Sequence, residues 1–198
     1  MNLGFLGDAF DHWKGALFGS LQEAGIVQEF AADPMASDLE SWKPEDFKLL
    51  AQLLRIKPAQ IIAHRADLQD RASYFGEISH EGDLFLDPDT GVATSHVSGV
   101  RARRYVKPSE VKQLLATSSG RLVIVYQHVR AQKVSDRVET VLNALRHELG
   151  KFNWCSYESG TVAMLFLARA PERPGRVRKH FVSFLGRHAS DRIRGSEL

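Results

Sequence analysis

The stretch Leu84-Phe85-Leu86-Asp87-Pro88-Asp89-Thr90-Gly91 decides the fold of this chain, because a wholly apolar run stops there at two aspartates. Three consecutive large apolar residues are typical of a strand buried on both faces, as strands of parallel sheets are. Pro88 lacks a backbone N–H and favours an extended conformation at Asp87, so the strand should end there, and Gly91 permits a sharp turn. Ligands of open α/β sheets bind at the carboxyl ends of the strands. We therefore predict that Asp87 and Asp89 lie at the functional edge of a parallel sheet.

Apolar periodicity on either side of this stretch predicts alternating helices and strands. Apolar stripes predict helices at residues 6–21, 44–54, 58–72 and 108–116, a helix capped by Ser135 and ended by Gly150, and a final basic helix with Val177, Phe181, Phe184 and Leu185 facing inward. Apolar runs predict strands at residues 26–32, 84–86, 122–126, 152–156 and 162–168. The expected core includes Leu86, Ile124, Val125, Leu142, Leu145, Met164 and Phe166.

The order of these elements predicts the topology. Strand–helix–strand–helix over residues 84–150 implies parallel βαβ units, and the short link between the last two strands implies that one of them runs antiparallel. We expect one α/β domain over residues 1–189, a Rossmann-like three-layer sandwich whose sheet is mostly parallel with an antiparallel strand near the C-terminus. The tail over residues 190–198 is expected to be flexible.

Composition indicates an ordinary globular protein. The 198 residues are 43% hydrophobic and 25% charged, and no apolar run approaches the roughly 18 residues of a membrane span. The first residues lack the basic segment of a signal peptide. Cys155 is the sole cysteine, which rules out an internal disulfide and a cysteine-based zinc cage. The expected location is therefore the cytoplasm, with no membrane partner.

Charge is distributed unevenly along the chain. Residues 1–50 carry nine acidic and three basic side chains, whereas residues 101–133 carry eight basic side chains against Glu110 alone. Such asymmetry favours a basic surface for an anionic partner, with nucleic acid or a nucleotide first. The expected contacts are Arg101, Arg103, Arg104 and Lys107, which follow the Asp87–Gly91 turn. The alternative is a solvated basic face with no partner.

The strand ends bring together candidate catalytic side chains. If the strands at 84–86 and 122–126 are parallel neighbours, Asp87, Asp89 and His128 converge at one edge, and Asp33 can join them from the first strand. Such a group can move a proton, or Asp87 and Asp89 can hold a divalent cation such as Mg²⁺ or Mn²⁺ over a phosphate. In the alternative, the aspartates only cap the turn.

One motif resembles that of a known enzyme class. Leu86-Asp87-Pro88 is similar to the Asp-Pro-Pro-Tyr signature of nucleic-acid amino-methyltransferases, and the elements from Leu84 to the closing strand pair resemble the second half of a class I S-adenosylmethionine-dependent methyltransferase. The resemblance implies that S-adenosylmethionine would bind at Asp33 and Pro34, after the first strand. That loop contains no glycine here, and Asp89 and Thr90 stand where the signature has a second proline and an aromatic residue.

More closely, the chain resembles an uncharacterised bacterial family. Its members share an aspartate- and aromatic-containing first helix, a Pro-Met segment, a Leu-Asp-Pro-Asp-(Asn/Thr)-Gly motif and a Tyr-Gln-His strand end. In this chain these are residues 8–18, Pro34-Met35, Leu86–Gly91 and Tyr126-Gln127-His128. This family implies no particular reaction.

Several functions remain open at this stage. Asp87 and Asp89 also resemble the nucleophile and the acid/base of haloacid-dehalogenase-type phosphotransferases, and they fit a metal-dependent nuclease with a DxD site. The leading hypothesis is an enzyme acting on nucleic acid or a nucleotide, with Asp87, Asp89 and His128 as catalytic residues. The rival is a catalytically inactive nucleic-acid-binding or interaction module, of phage-defence or mobile-element context, that uses only its basic surface.

Overall fold

The computed structural model describes residues 1–27, 29–62, 70–186 and 191–196 and shows a mixed α/β fold. Within these ranges the α-helices are α1 (Ala9–Glu23), α2 (Pro44–Leu53), α3 (Arg71–Gly76), α4 (Pro108–Ala116), α5 (Val134–Leu149) and α6 (Glu172–Leu185). The strands are β1 (Phe30–Asp33), β2 (Asp83–Leu86), β3 (Gly91–Val92), β4 (Tyr105–Val106), β5 (Val123–His128), β6 (Asn153–Ser159), β7 (Val162–Ala168) and β8 (Ile193–Gly195).

Six of these strands form one sheet in the order β1-β2-β5-β7-β6-β8. β1, β2 and β5 are parallel neighbours, whereas β7 is antiparallel to both β5 and β6, and β8 is antiparallel to β6. Four of the six strands therefore run in the same direction. The predicted parallel pairing of β2 with β5 is confirmed, with Leu86 opposite Val125. The carboxyl ends of β1, β2 and β5 consequently meet at one edge.

Local sequence explains where the helices begin. The Asp8 carboxylate caps α1 by accepting hydrogen bonds from the backbone N–H groups of Phe10 and Asp11, at 2.8 and 3.1 Å. Pro44 and Pro108 occupy the first turns of α2 and α4, where a missing N–H costs nothing. The expected helix at 108–116 is confirmed, and α2 ends one residue before the expected boundary.

Buried apolar side chains form two clusters that share the sheet. One combines α1, α2 and α6 with side chains such as Phe85 and Ile124, and the other combines α3, α4 and α5 with Leu84 and Val125. Successive strand residues alternate between the clusters, so the two clusters lie on opposite faces of the sheet. The expected core residues are all fully buried: Leu86, Ile124, Val125, Leu142, Leu145, Met164 and Phe166.

Several expected boundaries are wrong. The helix expected over 58–72 is a short 3₁₀ turn at Pro58–Gln60, followed after residue 70 by α3, and residues 63–69 lie outside the described part. Ser135 lies inside α5 instead of capping it, because α5 already begins at Val134. Phe184 was expected to face inward but is 55% exposed.

The C-terminal segment also differs from expectation. The tail from Ser190 was expected to be flexible, yet Ile193–Gly195 pair with Cys155–Tyr157 as the last strand of the sheet. Ile193 is buried against the first cluster, which fixes the segment in place. The first strand begins later than expected, at Phe30, and includes Asp33. Across the described ranges, no helix combines the length and apolarity needed to cross a bilayer.

Candidate functional site

The turn after β2 is fixed by the side chain of Gln127. Gln127 is fully buried; its Oε1 accepts a hydrogen bond from the Val92 N–H at 2.9 Å, and its Nε2 donates to the Thr90 carbonyl at 2.8 Å. Gly91 adopts a φ of 112°, and a Cβ there would lie 2.3 Å from Gln127 Oε1. The glycine of the Leu86–Gly91 motif is therefore required for both backbone conformation and space.

A two-stranded parallel pair then carries the basic segment to this turn. β3 pairs with β4, and the Thr90 N–H donates to the Arg104 carbonyl at 2.9 Å. Residues Gly99–Arg104 form a 3₁₀ helix immediately before β4. The pairing explains why arginines that follow the turn in sequence also lie beside it in space.

Lys14 neutralises the first aspartate of the motif. Its Nζ lies 2.7 Å from the Asp87 carboxylate and 2.9 Å from that of Asp11, and 4.3 Å from the centre of the Tyr126 ring. Asp11, Lys14 and Asp87 are all buried. Burial raises the pKa of Asp87, which Lys14 opposes. Burial alone would lower the pKa of Lys14, but the charges of Asp87 and Asp11 outweigh it and raise that pKa.

Asp89 lies closer to solvent and has different partners. The Ser37 hydroxyl donates to its Oδ2 at 2.7 Å, and the amino group of Met1 lies 3.2 Å from its Oδ1. Arg104 Nε lies 4.0 Å from the same carboxylate. The carboxylates of Asp87 and Asp89 therefore have separate partners, although the Met1 amino group also donates to the Asp87 carbonyl at 2.6 Å.

A cavity of about 300 Å³ opens beside the two aspartates. Its wall combines carboxylates with aromatic rings, and it includes the candidate catalytic residues Asp87, Asp89 and His128 together with Arg104. The structure thus brings the three candidate catalytic residues to one cavity. Its other lining side chains include Asp8, Phe10, Asp11, Lys14, Tyr126 and Arg130.

A second cavity of about 320 Å³ adjoins the first, which we call the arginine cavity. It is lined by Thr90, Arg101, Arg104, Tyr105, His128, Arg130, Gln132 and Arg137. Four of these residues, Thr90, Arg104, His128 and Arg130, also line the first cavity. A carboxylate-bearing cavity therefore lies directly beside a strongly basic one.

His128 lies where the two cavities meet. Its ring is half-buried and makes edge contacts with Phe10 and Tyr126, at centroid distances of 5.9 and 5.4 Å. Burial lowers the pKa of His128, and the positive charges of Arg130 and Lys14 lower it further. The imidazole is therefore neutral near pH 7 and can accept a proton.

The remaining residues singled out from the sequence lie elsewhere. The Asp33 side chain is fully buried, where its Oδ1 accepts hydrogen bonds from the Met35 N–H at 2.8 Å and the Tyr74 hydroxyl at 2.7 Å. Neither Asp33 nor Pro34 lines either cavity. Arg103 lines neither, and Lys107 lines a separate cavity beside Pro108 and His147. Of the four basic residues expected to contact nucleic acid, Arg101 and Arg104 therefore line the arginine cavity, and Arg103 and Lys107 do not.

The geometry does not fit a metal held by Asp87 and Asp89. In the part of the chain that the structure describes, no group of three or more His, Cys, Asp or Glu side chains is arranged to hold an ion. The Lys14 ammonium already lies against the carboxylate of Asp87, and a divalent cation there would be repelled. The acidic side chains of the site are thus better described as partners of internal cations.

Sequence reasoning missed three of the cationic side chains in the two cavities. Lys14 stands off the apolar stripe of the first helix, which is the pattern of a surface residue, and only its spacing from Asp11 gave a signal. Arg130 follows the Tyr126–His128 strand end by two residues, so the position of that strand end could have indicated it. Arg137 reaches the arginine cavity from the first turn of α5, and only the three-dimensional fold reveals this position.

Comparison of the chain with family models, with curated proteins and with solved structures returns no match. The candidate site therefore has to be interpreted from its own geometry and charge.

Proposed function

We propose that the chain is an enzyme directed at a nucleotide or nucleic acid, with its site at the carboxyl ends of β2 and β5. The observation that carries this proposal is that the two cavities are neighbours and share the lining residues Thr90, Arg104, His128 and Arg130. Arginine forks suit phosphate oxygens, and aromatic side chains suit the faces of bases. The arginine cavity supplies most of the guanidinium groups, the first cavity supplies the rings of Phe10 and Tyr126, and His128 in the wall of both is a proton acceptor.

His128 is the proposed proton acceptor. Its imidazole is half-buried, is shared by both cavities and has a lowered pKa, so its neutral form is available at physiological pH. It would take a proton from a substrate hydroxyl, amine or water placed between the cavities. Asp87 acts through Lys14 as a positioning residue, because its side chain is only 4% exposed.

The sheet supports a fold of Rossmann-like, methyltransferase type. Three parallel strands are followed by an antiparallel closing pair, and helices pack against both faces of the sheet. We propose that this is a three-layer sandwich whose architecture is shared with class I methyltransferases while its site has diverged.

S-adenosylmethionine does not fit the expected loop. The side chain of Asp33 is turned towards Met35 and Tyr74, and the Met1 amino group donates hydrogen bonds to the carbonyls of Pro34 and Met35. We therefore assign no step to this cofactor. A thermal-shift assay with S-adenosylmethionine, Mg²⁺ and Mn²⁺ tests the point, since a ligand at 100 times its Kd would stabilise the fold by about 2.7 kcal/mol.

One observation favours the rival function, a binding module without catalysis. The charge of Asp87 is matched by Lys14, so the first aspartate of the motif is committed to an internal ion pair. Replacing His128 by asparagine separates the two functions, because it removes the proton acceptor but leaves the arginine cavity charged. An enzyme loses its cellular activity with this change, whereas a binding module keeps it.

The nucleic-acid assignment is tested by the salt dependence of binding. Fluorescence anisotropy with labelled single-stranded DNA, RNA and duplex DNA is measured between 50 and 200 mM salt for the parent and for Arg101→Ala/Arg104→Ala/Arg130→Ala. Each phosphate contact contributes about −0.7 (single strand) to −0.9 (duplex) to the slope of log affinity against log salt. The triple variant should make this slope less negative by the contribution of about one to three such contacts.

The matched control is Arg176→Ala/Arg178→Ala/Lys179→Ala. It removes the same charge from α6, where Arg176 instead lines a cavity with Gly25, Asp83 and Arg121, outside both candidate cavities. Equal slopes of log affinity against log salt for the two triple variants would show that the nucleic-acid-binding surface lies outside the arginine cavity. A parent protein that binds none of the three nucleic acids at moderate salt would overturn the assignment.

A further inference from the structure

We infer that the arginine cavity binds a phosphomonoester, so that the ligand is a free nucleotide or the phosphorylated end of a strand and not an internal phosphodiester. This inference rests on the proposed function and specifies the substrate of the same site. It follows from how the arginines are held, how they are charged and where the cavity leads.

The arginines converge on the cavity from three separate segments. Arg101 and Arg104 come from the 3₁₀ helix before β4, Arg130 from the loop after β5, and Arg137 from the first turn of α5. A phosphate in this cavity would therefore meet guanidinium groups from three separate segments. A terminal phosphate has one ester bond to accommodate in such a space, whereas an internal phosphate has two.

The cations of this cavity lack matching anions. None of its lining residues is an aspartate or glutamate, and the Asp89 carboxylate is 4.0 Å from Arg104 Nε at its edge. Arg101 and Arg130 make no ion pair with any residue that the structure describes. Clustered guanidinium groups without counter-charges repel each other, and a bound anion relieves that repulsion.

One lining arginine is fixed before any ligand binds, and the loop beside it has an unusual backbone conformation. Arg137 donates hydrogen bonds to Thr94 Oγ1 at 3.0 Å and to the Val92 carbonyl at 3.2 Å, which fixes its guanidinium beside β3. Ala131, between Arg130 and Gln132, has a φ of 56°. This left-handed conformation is uncommon for a residue other than glycine and concentrates at ligand-binding sites.

The chemistry of a phosphomonoester matches this arrangement. Near pH 7 it carries a charge of about −1.5 to −2 and three acceptor oxygens, and arginine contacts such oxygens in pairs. A phosphodiester offers one charge and two free oxygens. The nucleoside attached to the bound phosphate would reach the first cavity through the shared residues Thr90 and His128.

The experiment compares probes that differ only in their terminal phosphates. Competition with a labelled strand is measured for hexathymidylate with a 5′-phosphate, with a 3′-phosphate and with hydroxyl ends, and for adenosine monophosphate against adenosine. At least one phosphorylated probe should bind about tenfold or more tightly than its hydroxyl counterpart, the ratio that one additional charge-assisted contact supplies. Arg101→Ala/Arg130→Ala should abolish that ratio, whereas Arg176→Ala/Arg178→Ala should preserve it.

The outcomes separate this inference from the proposed function. Competition by adenosine monophosphate supports a free nucleotide, and competition by the phosphorylated strand alone supports a strand end. Equal binding of phosphorylated and hydroxyl-ended probes overturns the phosphomonoester site while leaving nucleic-acid binding intact. Failure of every probe to bind overturns both. Thermal denaturation of each variant serves as the control: a variant that melts like the parent has lost its preference for the phosphorylated probe without unfolding.

Discussion

The Nζ of Lys14 lies 2.7 Å from the carboxylate of Asp87, although 73 residues separate them along the chain. The ammonium also contacts Asp11, so one buried cation is shared by two buried carboxylates. This contact joins α1 to the carboxyl end of β2 and forms part of the wall of the first cavity. Stability and the charge of the site therefore depend on the same three side chains.

Replacing Lys14 by methionine should destabilise the fold strongly. The substitution keeps most of the length of the side chain but leaves Asp11 and Asp87 as neighbouring buried carboxylates without the ammonium that they share. Removing one partner of a buried pair typically costs about 3–5 kcal/mol. Urea denaturation measures the free energy of unfolding, and the Lys14→Met/Asp87→Asn double variant should recover part of the loss. A loss below about 0.5 kcal/mol for Lys14→Met would contradict a buried pair.

Gly91→Ala should destabilise the turn that carries Thr90. The alanine Cβ would lie 2.3 Å from Gln127 Oε1, and φ at this position is 112°. Backbone strain of this kind costs about 1–3 kcal/mol, and displacement of Gln127 adds the loss of its buried hydrogen bonds. The control is Gly120→Ala, since a Cβ there meets no atom within 4 Å. Thermal denaturation compares the melting temperatures of the two variants. Equal losses of stability in Gly91→Ala and Gly120→Ala would show that the Gly91 turn tolerates a side chain.

The parts of the fold that sequence patterns predicted are those set by local chemistry and by continuous apolar runs. Pro108 and the apolar side chains that follow it define α4, and Leu84–Leu86 are buried on both faces as their composition indicates. From these features, the parallel pairing of β2 with β5 and the meeting of Asp87 with His128 could be predicted.

The features that sequence patterns did not predict depend on distant partners. Ile193–Gly195 lack an apolar run, and they form a strand because β6 offers an open edge. Lys14 looks like a surface residue until Asp87 lies beside it. Asp33 lies at a strand end, where site residues are expected, yet its carboxylate accepts hydrogen bonds from the Met35 N–H and the Tyr74 hydroxyl. Local sequence does not distinguish an aspartate that faces a cavity from one that faces the core.

The pKa of His128 should respond to its charged neighbours in opposite directions. Burial lowers this pKa, Arg130 and Lys14 lower it further, and Asp87 opposes them. Arg130→Ala should therefore raise the pKa, and Asp87→Asn should lower it. Titration of the His128 ring protons by NMR measures both shifts. Shifts of the same sign in the two variants would show that the surrounding charges do not act as the geometry indicates.

His128 should also contribute to the pH dependence of stability. Because its pKa is lower in the folded state than the ordinary value of 6.5, the unfolded chain takes up the proton first as the pH falls. The free energy of unfolding should therefore decrease below about pH 6.5, the ordinary histidine pKa. His128→Gln should reduce this decrease between about pH 6.5 and 5 in urea titrations. If the free energy of unfolding of His128→Gln depends on pH as that of the parent does, the loss of stability below about pH 6.5 comes from other titratable groups.

Arg71 should control the position of the basic segment without lining either cavity. It forms a two-pronged ion pair with Glu110, and its guanidinium donates hydrogen bonds to the carbonyls of Ala102 and Tyr105 at 2.9 and 2.7 Å. These contacts tie α3 and α4 to the segment that bears Arg101 and Arg104. Arg71→Ala leaves Glu110 buried without its cation, so we expect a loss of about 3–5 kcal/mol in the free energy of unfolding.

Arg71→Lys should restore little of that loss, because an ammonium cannot reproduce the planar fork that contacts Glu110 and both carbonyls. Hydrogen exchange should become faster in residues 99–106 in both variants and stay unchanged in β7, at the centre of the sheet. The matched control is Arg146→Ala, whose exposed pair with Glu139 is worth at most about 1 kcal/mol. If the 99–106 segment keeps its slow exchange without Arg71, then the β3–β4 pairing alone holds the arginines beside Asp89.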